Sequence, residues 1–350
     1  MPGQGLAKAK VTPITTTLHR VVRAFLPWTV LAACSVSLAH AQNCQTSGDL
    51  EDATRSAITA AGLRYFDLVS KGDAATMRQN AVNSLIPDFS GIEAVLKDHQ
   101  QDLAGAQTIP KGIFLLETEG AAPIPRAEFY CGVFGKSGQT SSSTIFYLDN
   151  LPPGTYAVVI LDATSARTRA NFSVILQKAD ADWKLAGLYL KPAQVAGHDS
   201  GWFVARAREY KSKGQLYNAW LYYIEARSLI SPLPFMSTLA TDRLYDESQK
   251  VLPADVPAGG KTAALTSGSA TYTLIALFPE AVGNDLDLIV KYQIADASNT
   301  SLAYQNNLAV IKVLVARYPE VGDAFAAVVA RAVDSSGHDY GTLEAMRDIK

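Results

Sequence analysis

Helical and strand-like patterns of apolar residues alternate in blocks along this chain. From Asp49 to about Val69, apolar residues recur mostly at intervals of three and four, which places them on one face of a helix. A shorter helix is expected from Asp73, whose side chain can cap it, to Ala81, and a third helix opens at Pro87. The first part of the chain is therefore predicted to be three helices with apolar faces to bury.

The pattern changes after Gly105, where segments rich in β-branched and aromatic residues follow one another. Turn residues, among them Pro152-Pro153-Gly154, separate these segments. The predicted strands cover residues 113–116, 128–134, 144–148, 156–161, 170–177 and 183–190. No helical pattern interrupts them, so we expect an antiparallel sheet. Helices followed by strands predict an α+β domain over residues 42–195.

The second half of the chain returns to helical spacing before it ends in a smaller mixed unit. A helical hairpin is predicted within residues 196–252, with Gly214 at its turn. Residues 253–268 are rich in Pro and Gly and are predicted to be a linker. Residues 269–350 predict a small C-terminal ββαβ domain, whose last strand, residues 324–334, turns into a tail.

Two parts of the chain resemble known families. The end of the first helix, residues 68–73, and the hairpin over 172–189, marked by Asp180, Trp183 and Gly187, resemble the nuclear transport factor 2-like (cystatin-like) superfamily. The resemblance covers about residues 49–192, and the Pro/Ser-rich segment from Ala121 to Ser143 departs from it. It implies N-terminal helices packed on a curved antiparallel sheet, often with a conical pocket between them. Members include isomerases, dehydratases and hydrolases, and also binding or scaffold modules.

The helical hairpin resembles a single tetratricopeptide unit. The positions that carry this resemblance are Ala205, Tyr210, Gly214, Ala219, Tyr223, Ala226 and Pro232. One such unit cannot bury its own apolar face, and no second copy follows at the family's spacing. We therefore expect the hairpin to cap its neighbours. The C-terminal domain resembles no family that we can name.

The N-terminal segment predicts export. No Asp or Glu precedes Asp49, and an apolar run over residues 24–33 leads to Ala39-His40-Ala41, a small-x-small cleavage pattern. The basic residues before that run are Lys8, Lys10, Arg20 and Arg23. Residues 1–41 are thus predicted to be a signal peptide of a periplasmic or secreted protein. The alternative is a lipobox ending at Cys34, which would leave a lipoprotein anchored through that cysteine.

Composition narrows the possible partners. Cleavage after Ala41 leaves 27 basic and 33 acidic residues, a formal charge of −6, so no basic footprint for a nucleic acid is expected. No remaining segment is apolar enough to suggest a transmembrane helix. Cys44 and Cys131 are the cysteines left after cleavage, and an oxidising compartment favours a disulfide between them; the alternative is two unpaired thiols.

Catalytic and cofactor motifs give no positive indication. His99, His198 and His338 lack a close histidine or cysteine partner of the kind a zinc site uses. No Gly-x-Ser-x-Gly elbow occurs, and residues 258–262 lack the spacing of a phosphate-binding loop. We therefore predict no cofactor and no metal.

Aromatic residues supply the remaining candidates. Those that could line or fill a pocket in the first domain are Tyr65, Phe66, Phe89, Phe114, Tyr130, Tyr147 and Trp183. Those that could anchor an interface on the hairpin are Trp202, Tyr217, Trp220, Tyr222 and Tyr223. Asp67, Asp149 and Asp162 are the candidates for an acid facing such a pocket.

The leading hypothesis is an exported, non-enzymatic binding or scaffold protein of the bacterial cell envelope. Its partner would be another envelope protein or a small apolar ligand. The alternative is a pocket enzyme of the isomerase or hydrolase type in the first domain. An open cavity holding an inward carboxylate would favour the enzyme, whereas a filled cavity would favour binding.

Overall fold

The computed structural model describes residues 42–135, 138–140 and 142–349. The predicted signal peptide, with Cys34, lies outside these residues. The described chain is a mixed α+β protein with three larger, largely antiparallel sheets and one two-stranded sheet, and its α+β class is the one that the sequence predicts. No helix in the described part is long and apolar enough to cross a membrane.

Three helices follow a short first strand. The bounds are β1 (Gln42–Thr46), α1 (Asp52–Lys71), α2 (Ala74–Gln79) and α3 (Ser90–Leu103). Gly72 ends α1 with a left-handed φ of 69°, which a residue without a Cβ adopts without strain. Asp73 caps α2 by accepting a hydrogen bond from the Thr76 amide at 3.0 Å, as predicted.

Most strands of the first half form two stacked sheets. The bounds of the strands are β2 (Gln107–Thr118), β3 (Ile124–Cys131), β4 (Phe134–Gly135), β5 (Gly138–Gln139), β6 (Thr144–Leu151), β7 (Gly154–Thr164), β8 (Arg169–Ala179) and β9 (Asp182–Pro192). β4 and β5 pair with each other in a separate two-stranded sheet. A five-stranded antiparallel sheet has the order β1-β2-β7-β8-β9, and α1–α3 cover one of its faces. The strands β3 and β6 pair with each other and lie on the opposite face.

This second layer corrects the expectation of one curved sheet. β7 is buried without interruption from Tyr156 to Leu161, so both faces of the central sheet need a cover. Helices cover one face, and β3 and β6 leave the sheet to cover the other. The predicted hairpin between the last two strands is confirmed by the pairing of Ala179 with Asp182.

The helical hairpin is tied to the second layer by a short strand. Its elements are α4 (Ser200–Ser212), α5 (Leu216–Leu229), β10 (Met236–Thr238) and α6 (Leu239–Gln249). β10 pairs with β6 through Met236 and Phe146 and so completes a three-stranded sheet of order β10-β6-β3. Thr238 caps α6 through the Thr241 amide.

The C-terminal sheet has more strands than predicted. Its elements are β11 (Ala263–Ser267), β12 (Ala270–Val282), β13 (Asp285–Gln293), α7 (Thr300–Arg317), β14 (Ala327–Val333) and β15 (Asp339–Ala345). The predicted linker holds β11, and the predicted tail forms β15 beside β14. β13 and β14 are parallel, with α7 as the crossover between them.

One hydrophobic core joins the helical hairpin to this C-terminal sheet. Trp220 and Tyr223 of α5 share that core with Leu277 of β12 and Leu314 of α7. The apolar faces of α4 and α5 are therefore buried against the C-terminal elements.

Candidate functional site

Four of the aromatic residues predicted for a pocket lie in the layer between helices and sheet. Tyr65 and Phe89 are completely buried, Phe66 is almost so, and Trp183 closes the layer from β9. The Tyr65 hydroxyl donates toward the carbonyl oxygens of Asn80 and Trp183, at 2.9 and 3.1 Å. These four side chains fill the layer, as they would in a packed core.

The other three lie elsewhere. Phe114 is on the opposite face of the sheet, edge-on to Phe146 at 5.0 Å. Tyr130 is half-exposed on β3 and donates to Glu128 at 2.7 Å. Tyr147 of β6 lies under the guanidinium of Arg126. The structure therefore does not bring the seven aromatic residues together around one space.

The three candidate acids are placed at the surface. Asp67 pairs with Lys71 at 2.7 Å within α1. Asp149 is exposed at the end of β6. Asp162 is half-exposed and lies 3.2 Å from the ammonium of Lys111. None of them faces the layer between helices and sheet.

The predicted interface aromatics hold the hairpin to its neighbours. Trp220, Tyr222 and Tyr223 are buried in the core. Trp202 stacks on His198 with ring centroids 3.7 Å apart. Tyr217 donates to Asp255 at 2.6 Å, and burial together with that carboxylate raises the pKa of the Tyr217 hydroxyl.

The remaining histidines are also separate from one another. His99 is exposed on α3, and His338 contacts Asp334 at 2.8 Å in the turn before β15. Among the described residues, no group of three or more His, Cys, Asp or Glu side chains could hold a metal ion.

An apolar cleft opens between the two stacked sheets, and we call it the intersheet cleft. Its volume is about 660 Å³. The residues that define it are Lys111, Gly112, Phe114 and Ile160 on the five-stranded sheet, and Ile230, Pro232, Met236 and Ala240 on the opposite side. The rim of the cleft also includes Thr46, Ser47 and Gly48, which lie at and just after the end of β1. This volume falls in the range of small-molecule sites.

A break in strand pairing shapes the floor of the intersheet cleft. The register of β2 on β7 shifts between Pro110 and Gly112, so Lys111 is an extra residue in β2. A Cβ on Gly112 would lie 2.9 Å from a ring carbon of Phe114, which is too close without movement of the ring. The glycine thus leaves room for the ring beneath the cleft.

Lys111 marks the polar end of the intersheet cleft. Its ammonium donates to Asp162 at 3.2 Å and to Asn171 at 3.1 Å. Asn171 is almost completely buried, so it supports the ammonium from below. The lining is amphipathic because of the face that the five-stranded sheet turns toward β3 and β6. This face is apolar where β3 and β6 cover it, and it becomes polar past Gly112, where Lys111 lies.

A buried hydroxyl lies next to the floor of the cleft. Ser173 of β8 is the register partner of Ile160 and has no exposed surface. Its Oγ has no hydrogen-bond partner among the described residues. Unsatisfied buried hydroxyls are uncommon, because leaving one unpaired costs about 1–3 kcal/mol.

Sequence reasoning missed this cleft because its two walls come from segments far apart in the chain. Its one local signal is Pro110-Lys111-Gly112, which places a proline and a glycine inside an otherwise strand-like run. Such an interruption is typical of a bulge.

Comparison with known proteins gives no assignment. No protein-family model matches the chain, and no curated protein or solved structure is significantly similar to it. Any functional assignment therefore depends on the geometry described above.

Proposed function

We propose that this chain is an exported binding protein that takes a small amphipathic ligand in the intersheet cleft. The observation that carries the proposal is an apolar cleft of about 660 Å³ with one ammonium group, that of Lys111, at its end. Of the two partners that the sequence leaves open, an envelope protein or a small apolar ligand, this proposal takes the small ligand.

The lining favours an apolar chain in the body of the cleft. Among the described lining residues Lys111 is the one charged side chain, and Phe114, Ile160 and Met236 supply apolar surface. Burial of apolar surface stabilises a complex by about 25 cal/mol per Å² before the entropy cost of binding is subtracted.

The ammonium of Lys111 favours an acceptor at the head of the ligand. An ammonium group has three N–H donors, and the contacts to Asp162 and Asn171 use two of them. The third is available to a ligand oxygen, and a carboxylate would form the strongest bond because it is charged. A fatty carboxylate therefore matches both ends of the cleft.

The proposal also includes export of the protein and its membership of the nuclear transport factor 2-like superfamily. The Cys44–Cys131 disulfide supports an oxidising compartment such as the periplasm or the cell exterior. Packing of α1–α3 on one face of an antiparallel sheet supports a nuclear transport factor 2-like domain over about residues 49–192. The ligand site proposed here lies on the other face of that sheet, where β3 and β6 add a layer.

Calorimetric titration of the mature protein with dodecanoate tests the proposal. Ala240 is exposed at the cleft, so Ala240→Trp places a bulky side chain at its opening. Ala60→Trp is the matched control, because Ala60 is also exposed on a helix but lies away from the cleft. We expect Ala240→Trp to weaken dodecanoate binding at least about tenfold and the control to leave it unchanged. Equal affinities of the two variants would contradict the proposal.

A further inference from the structure

A second cleft, separate from the intersheet cleft, lies between α5 and β12. Its volume is about 710 Å³, and its third side is formed by Pro192 at the end of β9 and by residues 194–197. We call it the Glu225 cleft after the acidic residue of α5 that lines it. Glu225 is only 8 % exposed.

The carboxylate of Glu225 has no direct partner. Among the described residues it makes no hydrogen bond and no ion pair. Lys191 is the cation that acts on it electrostatically, and the ammonium of Lys191 donates to the Ser228 carbonyl oxygen, 3.5 Å away. A buried carboxylate without a partner is costly, since water no longer solvates it.

Burial and two neighbouring charged residues determine the charge state of this carboxyl. Burial raises the pKa of Glu225 to about 7, Lys191 acts to lower it, and Glu280 of β12 acts to raise it. Lys191 itself has a lowered pKa because of burial. Glu225 therefore changes charge near neutral pH, and a cation bound beside it would favour the ionised form.

The lining of the cleft determines which charge and which chemical type of ligand it can bind. Glu225 and Glu280 are its charged residues, and no Lys, Arg or His is among the described lining. Ile224, Phe278 and Pro279 form apolar walls, and the face of the Phe278 ring can attract a cation. Two carboxylates fall short of the ligand set for a metal ion, and no larger group exists in the described chain. The complement is an organic cation with an apolar body.

We propose that the Glu225 cleft binds a small organic amine, with its ammonium between Glu225 and Glu280 and its apolar part against Ile224 and Phe278. This goes beyond the amphipathic ligand of the intersheet cleft, because the two clefts have different linings and opposite charge preferences. The amine supplies the donor that the buried carboxylate lacks.

Calorimetric titration of the mature protein with benzylammonium chloride at pH 8 tests this proposal. We expect binding to the wild type and at least a tenfold loss of affinity in Glu225→Gln, which keeps the shape but removes the charge. Glu119→Gln is the matched control, because Glu119 is exposed and far from the cleft lining. Benzoate, of similar shape and opposite charge, is expected not to bind in this cleft.

A second variant and the pH dependence guard against a folding artefact. Ala281→Trp places a bulky side chain at an exposed position of the cleft lining and leaves both glutamates unchanged in the sequence, so it should also abolish benzylammonium binding. Wild-type affinity should fall about tenfold from pH 8 to pH 6, as Glu225 gains a proton. No binding at millimolar benzylammonium, or equal affinity in Glu225→Gln, overturns the proposal. Dodecanoate titrations report on the intersheet cleft separately, so failure at one cleft is distinguishable from failure at the other.

Discussion

Cys44 and Cys131 are joined by a disulfide that links the two stacked sheets of the N-terminal half. Cys44 lies in β1, at the edge of the five-stranded sheet, and Cys131 ends β3 in the sheet above it. Their Cα atoms are 5.1 Å apart, although 87 positions separate them in the chain. Thr46, which follows two residues after Cys44, is part of the rim of the intersheet cleft. The disulfide thus holds the two walls of the cleft together near its rim.

Removal of this disulfide should destabilise the protein and weaken its proposed ligand site. For Cys44→Ser with Cys131→Ser we expect a loss of about 2–4 kcal/mol in the free energy of unfolding, because the unfolded chain is no longer constrained. Urea unfolding followed by circular dichroism measures this loss, and titration measures dodecanoate affinity. An unchanged urea midpoint would show that the packing of the sheets alone sets their spacing.

Substitution of Lys111 should change which head group is preferred. In Lys111→Met the chain length is kept and the ammonium is lost, so dodecanoate affinity should fall roughly threefold to tenfold, a modest factor since the lysine is half-exposed. Dodecanol, which carries no charge, should bind the variant as well as it binds the wild type. An equal loss of affinity for dodecanoate and dodecanol would indicate that Lys111 contributes to the shape of the cleft and does not bind the head group.

The hydroxyls of two tyrosines test whether the layer between helices and sheet is a packed core. Tyr65→Phe should cost about 1 kcal/mol, because the buried hydroxyl that donates to the carbonyl oxygens of Asn80 and Trp183 is lost. Tyr130→Phe is the matched control, since its hydroxyl contacts Glu128 at the surface and its loss should change stability by less than about 0.5 kcal/mol. Thermal unfolding compares the two variants. Equal effects would argue that solvent reaches Tyr65.

The pH dependence of stability should carry a contribution from Glu225. Its pKa is raised from 4.5 to about 7 by burial, so between these values the native state holds a proton that the unfolded state releases. Native stability therefore falls as the pH rises from about 4.5 to 7, and the loss is complete above pH 7.

Glu225→Gln removes this contribution. Relative to the wild type, the variant should gain on the order of 3 kcal/mol between pH 4 and pH 8, since one pKa unit corresponds to about 1.4 kcal/mol. Urea unfolding of both proteins at several pH values gives this difference. A difference independent of pH would mean that Glu225 is ionised or solvated throughout.

Glu225 also shows that the sequence pattern of a single helix does not reveal the site that the helix helps to form. It is the one acidic residue in a helix whose sides are otherwise buried nearly all round, from Asn218 to Leu229. A carboxylate on a helix that is buried nearly all round indicates a special environment. The sequence contains that signal, but the cleft that gives it meaning is completed by β12, more than fifty positions further along.

The sequence by itself predicted most of the helices and strands and favoured the disulfide. Residue spacing predicts α1, and the Asp73 cap and the turn at Ala179–Asp182 are local signals that need no distant partner. The pairing of Cys44 with Cys131 was favoured because these are the two cysteines that remain if residues 1–41 are removed as a signal peptide.

The tertiary structure alone decided the layers and both clefts. Backbone hydrogen bonds are chemically alike from strand to strand, so local pattern does not say that β3 and β6 leave the sheet, or that residues 339–345 pair with β14. Those choices depend on which apolar faces remain uncovered once distant elements have packed, as β7 illustrates with both of its faces buried. Lys111 and Glu225 acquire their chemical surroundings only after that packing is complete.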